Sequence, residues 1–346
     1  MLQNLIEQLT AQHSLDPAQI IGAVGCLVDP EVLVDTKADF LTALARKGET
    51  VGEIGGFAGE LRKLSVQPVM SQKMRDGEIL DVCGTGGDRL NTFNISTTVA
   101  LLAAAAGVVV AKHGNRAITS QSGSADVLEE LGIQINLTPD QAIDALERHN
   151  FAFFLAANYH PSFKHIGPAR RLCAERGQRT IFNFLGPLLN PVRPSAQLLG
   201  VARADLCGSV AEVLQGLGIR RAMVVSGDAG EGRWLDEFST LGDTHITEFY
   251  QSRAMSSSVV APQDFLMNPA QLGDLAGGDR SQNARILRAI LSGEERGPKR
   301  DAVLLNAGAA LFVAAKTKSI LEGIDLAAEL IDSGSAIKKL NQICSG

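Results

Sequence analysis

The sequence predicts an α/β fold: a small N-terminal helical domain set against a larger domain with a mostly parallel central sheet flanked by helices. Three observations carry that prediction. From about residue 78 to 155, short apolar β-branched runs alternate with helical patterns, the mark of parallel strands joined by crossover helices. Residues 1 to about 70 carry helical periodicity and no strand signal. Between residues 84 and 124, two loops rich in Gly, Ser, Thr and Asn each begin where an apolar run ends, the place where open α/β sheets collect ligands.

The elements follow in order. Apolar positions at helical spacing predict helices over 2–12, from Asp16-Pro17 onward, over 36–47 and over 51–64; Pro17 stands at a first helical position, where its missing N–H is harmless. Such a block serves as a cap over a site or as a dimer surface. Strands are expected near 79–83, 108–111 and 151–155, with helices near 95–106, 125–131 and 139–148 between them. Thr138-Pro139-Asp140-Gln141 reads as a capping box. Residues 158–191 form a basic stretch with Lys164, Arg170, Arg171, Arg176 and Arg179 beside His160 and His165, expected to be one helix with irregular flanks. Two readings of it stand: a solvated basic helix, or a wall meeting an anionic substrate. The sheet pattern resumes over 197–201, 221–226 and 244–249, with a helix over 205–217, and helices over 283–292, 301–316, 320–332 and 335–344 close the chain.

The loops carry the chemistry. Gly84-Thr85-Gly86-Gly87 follows a strand tip and lets backbone approach a ligand with no Cβ in the way. Asn94, Ser96, Thr97 and Thr98 stand at the start of the next helix, where free N–H groups and the helix dipole attract anions, most often phosphate. The second loop, Lys112-His113-Gly114-Asn115-Arg116, adds two cations, and Ser120, Ser122 and Ser124 add hydroxyls. Neither loop is a Walker A or a GxGxxG sequence. A lone GTGG is ordinarily a tight turn; its pairing with the basic second loop is what points to phosphate. Asp236-Glu237 is open to two readings, as surface carboxylates or as ligands for magnesium, which takes one or two carboxylates plus phosphate oxygens and waters.

The totals exclude several classes. A net charge of −6 over 346 residues argues against general nucleic-acid affinity. Five scattered cysteines without a CxxC (Cys26, Cys83, Cys173, Cys207, Cys344) imply reduced thiols and the cytoplasm. Cys83 touches the glycine turn but has no base beside it in sequence, so it reads as a small buried hydrophobe. No apolar run reaches membrane-spanning length.

Taken together, DVCGTGGDRLNTFNIST, AKHGNRAITSQSGSADVLEELG, RTIFNFLGPLLNP and LDEFS, in this order from about residue 51 to the C-terminus, resemble the anthranilate phosphoribosyltransferase family. The resemblance implies the nucleoside phosphorylase/phosphoribosyltransferase-like fold, with a helical domain of residues 1–73 plus roughly 166–188 and an α/β domain of 74–165 and 189–346. It implies a homodimer joined through the helical parts, and transfer of phosphoribose from phosphoribosyl pyrophosphate to anthranilate with Mg2+ present, in tryptophan biosynthesis. By the same resemblance Gly84, Gly87, Asp88, Thr92, Asn94, Ile95, Ser96, Thr97, Lys112, Asn115, Arg116, Ser120 and Ser124 bind the donor. Gly84, His113, Asn115, His160 and Arg170 meet the acceptor, Ser96, Asp236 and Glu237 hold the metal, and Lys112, Asn115 and Arg170 position the reactants. The family pattern reaches RTxFN soon after the acceptor-pocket arginine, whereas residues 172–178 make that segment longer here. A pyrimidine nucleoside phosphorylase carries a KHSTGG-like loop in place of KHGNR. A non-catalytic relative gripping nucleic acid requires a basic groove. Type I phosphoribosyltransferases place two adjacent acids before the phosphate loop, and here Asp81 is alone.

The residue types suit such a reaction. A dense anionic donor needs amides, a lysine and a metal; an arylamine keeps a free lone pair at neutral pH and needs no strong base. Stabilising the leaving pyrophosphate and aligning two substrates carry the rate, and the fork of Arg170 matches a carboxylate.

Overall fold

The computed structural model describes residues 1–117, 121–251 and 254–345. The helical periodicity of the first seventy residues becomes α1 (Leu2–Thr10), α2 (Pro17–Val28), α3 (Val34–Lys47) and α4 (Val51–Lys63). Capping boxes start two of them, with Asp16 accepting from Gln19 N and Thr50 from Glu53 N. Glu53 is itself buried, and its carboxylate takes Leu15 N at 3.0 Å and Lys47 Nζ at 2.7 Å. One residue thus ties three parts of the bundle. A single further turn, α5 (Gln72–Asp76), leads into the sheet; at five residues it is too short to show a period in the sequence.

The sheet alternates as expected. β1 (Ile79–Gly84) runs through α6 (Ile95–Ala105) to β2 (Val109–Gly114), then through α7 (Ser124–Glu130) and α8 (Pro139–His149) to β3 (Phe151–Leu155). After α9 (Ala156–Tyr159), α10 (Gly167–Glu175) and α11 (Phe182–Leu185) the chain returns as β4 (Ala196–Gly200) on the other side of β1. α12 (Cys207–Gly216) precedes β5 (Arg221–Asp228), and β6 (Trp234–Leu235), β7 (Thr244–Phe249) and β8 (Ser256–Val260) follow. The order is β3-β2-β1-β4-β5-β7-β8, with β6 paired to β5; the first five are parallel and the last three join antiparallel. α13 (Arg280–Ser292), α14 (Pro298–Val313), α15 (Ile320–Asp332) and α16 (Ser335–Cys344) close the chain.

Neighbouring residues of one strand point to opposite faces. Leu198 and Met223 therefore join a core with α6, α13, α14 and α16, whereas Leu199 and Val224 join Leu9, Phe40 and Phe57 of the helical bundle. Ile166, Ala169, Cys173, Phe182 and Leu185 belong to that second core. The bundle and the segment after β3 thus pack as one body against one sheet face.

Three expectations differ in detail. β2 extends through Gly114, because its pairing with β3 continues from Lys112↔Phe153 to Gly114↔Leu155; Lys112 and His113 are strand residues, not loop residues. The stretch 158–191 is not one helix but a nine-residue α10 between short turns. Residues 172–175 complete α10, and Gly177 turns the chain back with φ +68°. That segment seats on α3 through Cys173 Sγ to Ala38 O (3.4 Å) and Arg176 Nη1 to Asp39 Oδ1 (3.0 Å). β8 is a serine-rich edge strand with no alternation for the sequence to reveal.

Candidate active site

The strand order reverses between β1 and β4, so the crevice outside their carboxyl ends is the topological switch point. Gly84 and Gly200 end these strands and stand opposite one another in register. Both lie hard against Asp236: a Cβ on Gly84 would meet its Oδ2 at 2.2 Å, and a Cβ on Gly200 would meet its carbonyl oxygen at 1.6 Å. Two bare glycines make the flat seat on which the Asp236-Glu237 turn rests.

The carboxylates reach back into both predicted anion sites. Asp236 Oδ2 accepts from Gly86 N at 2.6 Å, in a loop where Gly86 and Gly87 hold positive φ (+72° and +83°). Glu237 Oε1 accepts from Ser96 N at 3.1 Å, at the start of α6. The amides that sequence assigned to phosphate are thus satisfied by the chain's own acids. Burial, Asp88 and Glu237 hold the Asp236 carboxyl well above its usual range, and burial pushes Glu237 up to about 7 against the pull of Lys112. Three acidic groups crowd one place. Among the described residues no set of three or more His, Cys, Asp or Glu forms a ready metal cage, yet oxygen donors from Asp236, Glu237 and the Ser96 hydroxyl suit magnesium, which keeps waters and phosphate oxygens in its shell.

Lys112 lies beneath this turn, 2% exposed. Its Nζ donates to Val82 O at 2.6 Å and lies 3.4 Å from Ser96 Oγ. Burial lowers its pKa, opposed by Asp81, Cys83 and Glu237. Asp81 is fully buried, with Oδ2 accepting from Asn190 Nδ2 at 2.9 Å and Oδ1 lying 3.4 Å from His113 N. Asn190 also donates to Ala111 O at 2.7 Å, so one amide ties Asp81 of β1 to the middle of β2. Burial raises the Asp81 carboxyl from 3.8 to about 6. Between those values the folded chain holds a proton the unfolded chain has released, so this group lowers stability as pH climbs through the window. We expect Asp81→Asn to gain in denaturant midpoint relative to the unsubstituted chain from about pH 4 to about pH 6 and to hold that gain above it. A difference constant across the window contradicts the assignment.

The other predicted residues divide. Asn94 caps α6 and accepts from Asn283 Nδ2 at 2.9 Å, while Thr92 bridges to Ala276; the segment 275–283 thus braces the first loop, a contact no local pattern announces. Asp88 Oδ1 accepts from Leu90 N at 3.2 Å. Ile95 and Thr97 point inward, each 1% exposed. Asn115 is exposed, and Ser124 opens α7 close against Gly114, where a Cβ would meet Ser124 Oγ at 2.6 Å. Arg116 turns away from the crevice to Asp126 (3.2 Å) and Glu129 (2.8 Å). Ser120 lies outside the described residues.

Around His113, His160 and Arg170, which the resemblance assigns to the acceptor, the rings form a chain. His113 packs on His160 (5.3 Å), His160 on Phe163 (5.1 Å), Phe163 edge-on against Phe182 (5.7 Å), and the Arg170 guanidinium lies 5.0 Å over Phe182. Burial holds His113 down to about 3 and His160 to about 4, so both rings are neutral. Among the described residues, Nε2 of His113 and both ring nitrogens of His160 meet no partner in hydrogen-bonding geometry, although the Leu189 backbone lies near enough to His160 to oppose the fall in its pKa. Phe163 and Phe182 carried no signal of their own in the sequence.

Residues 76–337 match the glycosyl transferase family, a/b domain. The chain is 44% identical to the anthranilate phosphoribosyltransferase of Alkaliphilus metalliredigens, covering 99% of this chain and 97% of that one. It is 43% identical to that of Methanocorpusculum labreanum, with coverage of 99% and 97%. Among solved structures it superposes on anthranilate phosphoribosyltransferase from Thermus thermophilus with a TM-score of 0.88 and 37% identity, covering 99% and 98%. It also superposes on the Saccharomyces cerevisiae enzyme solved in complex with PRPP and Mg, with a TM-score of 0.88 and 27% identity, covering 99% and 97%.

Proposed function

The chain belongs to the anthranilate phosphoribosyltransferase family, and from that membership we propose that it transfers the phosphoribosyl group of phosphoribosyl pyrophosphate to anthranilate. The products are N-phosphoribosylanthranilate and pyrophosphate, and the pathway is tryptophan biosynthesis. One observation carries the reading: Asp236 and Glu237 meet the glycine loop and the start of α6 at the switch point.

The chain's own groups divide the work. Gly84 to Gly87, Asp88, Thr92, Asn94 to Thr97, Asn115 and Ser124 form the donor side, with Ser96, Asp236 and Glu237 as the metal ligands. Magnesium, when bound, offsets the charge on the departing pyrophosphate. Lys112 reaches this side from below, holding Ser96 and balancing Glu237. The donor's anionic groups compete with Asp236 for Gly86 N and with Glu237 for Ser96 N; were a cation to take up the two carboxylates, both amides would be left for the donor. Arg170, His160, His113 and Asn115 form the acceptor side, and Arg170 takes the carboxylate. Histidines held near 3 and 4 are poor proton acceptors. The amine lone pair attacks ribose C1 as the C1–O bond to pyrophosphate breaks, the nitrogen then gives one proton to the departing pyrophosphate or to water, and alignment carries the rate.

The reading extends to the whole molecule. Residues 1–73 with roughly 166–188 form the helical domain and acceptor-side wall, and 74–165 with 189–346 the donor domain. Exposed Met1, Ile21 and Leu33 on the bundle suit a homodimer surface. No helix among the described residues is long and apolar enough to cross a membrane, and a cytoplasmic setting fits free cysteines.

Steady-state kinetics with each substrate varied in turn test the division. Arg170→Ala should raise the apparent KM for anthranilate about tenfold or more, with the donor KM little changed, since it removes a charge-assisted pair. Lys112→Ala should do the reverse, and should also destabilise the fold by about 3–5 kcal/mol, because buried acids lose their counter-charge. Equal effects on both substrates contradict the assignment.

A further inference from the structure

Arg170 is half-buried, and among the described residues its side chain makes no hydrogen bond or ion pair. What it does have is a ring: its guanidinium carbon stands 5.0 Å from the centroid of Phe182. A long arginine side chain has many rotamers, and a cation with no carboxylate near it has little reason to prefer one. The face of an aromatic ring supplies that reason, since its quadrupole attracts the cation while leaving the N–H edge of the fork unused.

Phe182 is itself fixed. It is 6% exposed and sits in the same core as Ile166, Ala169 and Leu185. Phe163 meets it at 89° with centroids 5.7 Å apart, and Phe163 in turn packs on His160. The ring therefore cannot turn without disturbing the chain of rings that runs to His113. It belongs to α11 and Arg170 to α10, so the contact spans two elements joined by residues 176–181.

We propose that Phe182 is a positioning residue that holds the guanidinium of Arg170 with its hydrogen-bonding edge free for a ligand carboxylate, and so sets the preference for carboxylated aromatic amines. The inference rests on the reading of Arg170 as the carboxylate-binding group. Phe182 touches no substrate in this role; it acts through the arginine.

The test is a double-mutant cycle on the purified full-length chain, assayed with anthranilate and with aniline as an acceptor that lacks the carboxylate. Phe182→Leu should raise the apparent KM for anthranilate by about three- to thirtyfold, the range a cation–π contact implies. The donor KM and the rate with aniline should stay within about twofold. Phe182→Met repeats the measurement if the leucine variant does not fold, and Phe182→Tyr, which keeps the ring, should restore the anthranilate KM. In an Arg170→Ala background, Phe182→Leu should add nothing further. The proposal is overturned if Arg170→Ala raises the anthranilate KM while Phe182→Leu and Phe182→Met leave it unchanged. It is equally overturned if those variants raise donor and acceptor KM together, or if their effect persists without the arginine. If Arg170→Ala itself leaves the anthranilate KM unchanged, the carboxylate reading fails first and takes this inference with it.

Discussion

Gly200→Ala should slow phosphoribosyl transfer by about a hundredfold. A methyl group at this position would stand 1.6 Å from the carbonyl oxygen of Asp236 and 2.2 Å from its carbonyl carbon. These are backbone atoms, so no side-chain rotation relieves the clash; the turn that carries Asp236 and Glu237 must move off the ends of β1 and β4. Overpacking of this kind costs about 1–3 kcal/mol of stability. The functional cost is larger, because groups that position a reactant lose on the order of a hundredfold in rate when displaced by about an ångström. Gly84→Ala makes an informative companion. There the methyl meets the Asp236 carboxylate at 2.2 Å, a side chain that can swing aside, and the Asp236 carbonyl oxygen at 2.9 Å, a much milder backbone clash than at Gly200. It should therefore spare the thermal midpoint more than Gly200→Ala does while still losing the contact to Gly86. Near-normal activity in Gly200→Ala shows that the seat is not what places the acids.

Asp236→Asn and Glu237→Gln should each lower kcat by about a hundred- to a thousandfold, the usual consequence of removing one preorganised electrostatic contact to the transition state. The double variant should be little worse than either alone, since the two act as a unit. Stability should move the other way. Asp236 is crowded by Asp88 and Glu237 as well as desolvated, and taking a charge out of such a cluster relieves the fold. The Asp236→Asn variant is thus expected to melt no lower than the unsubstituted chain while being nearly inactive, which thermal melts and initial rates check together. A variant that melts lower and turns over normally contradicts both halves.

Much of this site is written locally, and that part is legible without coordinates. Glycines feeding a helix start, and cations following a β-branched run, are patterns spanning a few residues, so Gly84 to Thr97 and Lys112 to Arg116 stand out from sequence. The strand–helix alternation gives the fold class for the same reason. Contacts between distant segments leave no such trace. Gly200 looks like any glycine after an apolar strand, and its need to be bare arises from a turn thirty-six residues later. Asn190 reads as half of an Asn-Pro turn, yet it braces a buried aspartate 109 positions away. Arg116 looks like a donor-side cation because its partners, Asp126 and Glu129, belong to the next helix. Lys112 shows that burial, too, is invisible in sequence: a lysine in a loop-like motif is a strand residue balancing interior acids. The basic stretch 158–191 misleads for a simpler reason. Its charges lie mostly at the surface, and what joins it to the site is Phe182 under Arg170.

The central claim is that the donor sugar would bind at the switch point, with Asp236 and Glu237, which now occupy the amides of Gly86 and Ser96, holding a divalent ion instead. Calorimetric titration of the chain with phosphoribosyl pyrophosphate, with and without magnesium, tests it most directly. Saturable heat with magnesium, and affinity weaker by about tenfold or more without it, is the predicted result. No heat at about millimolar donor in the presence of magnesium, or equal affinity with and without the metal, contradicts it.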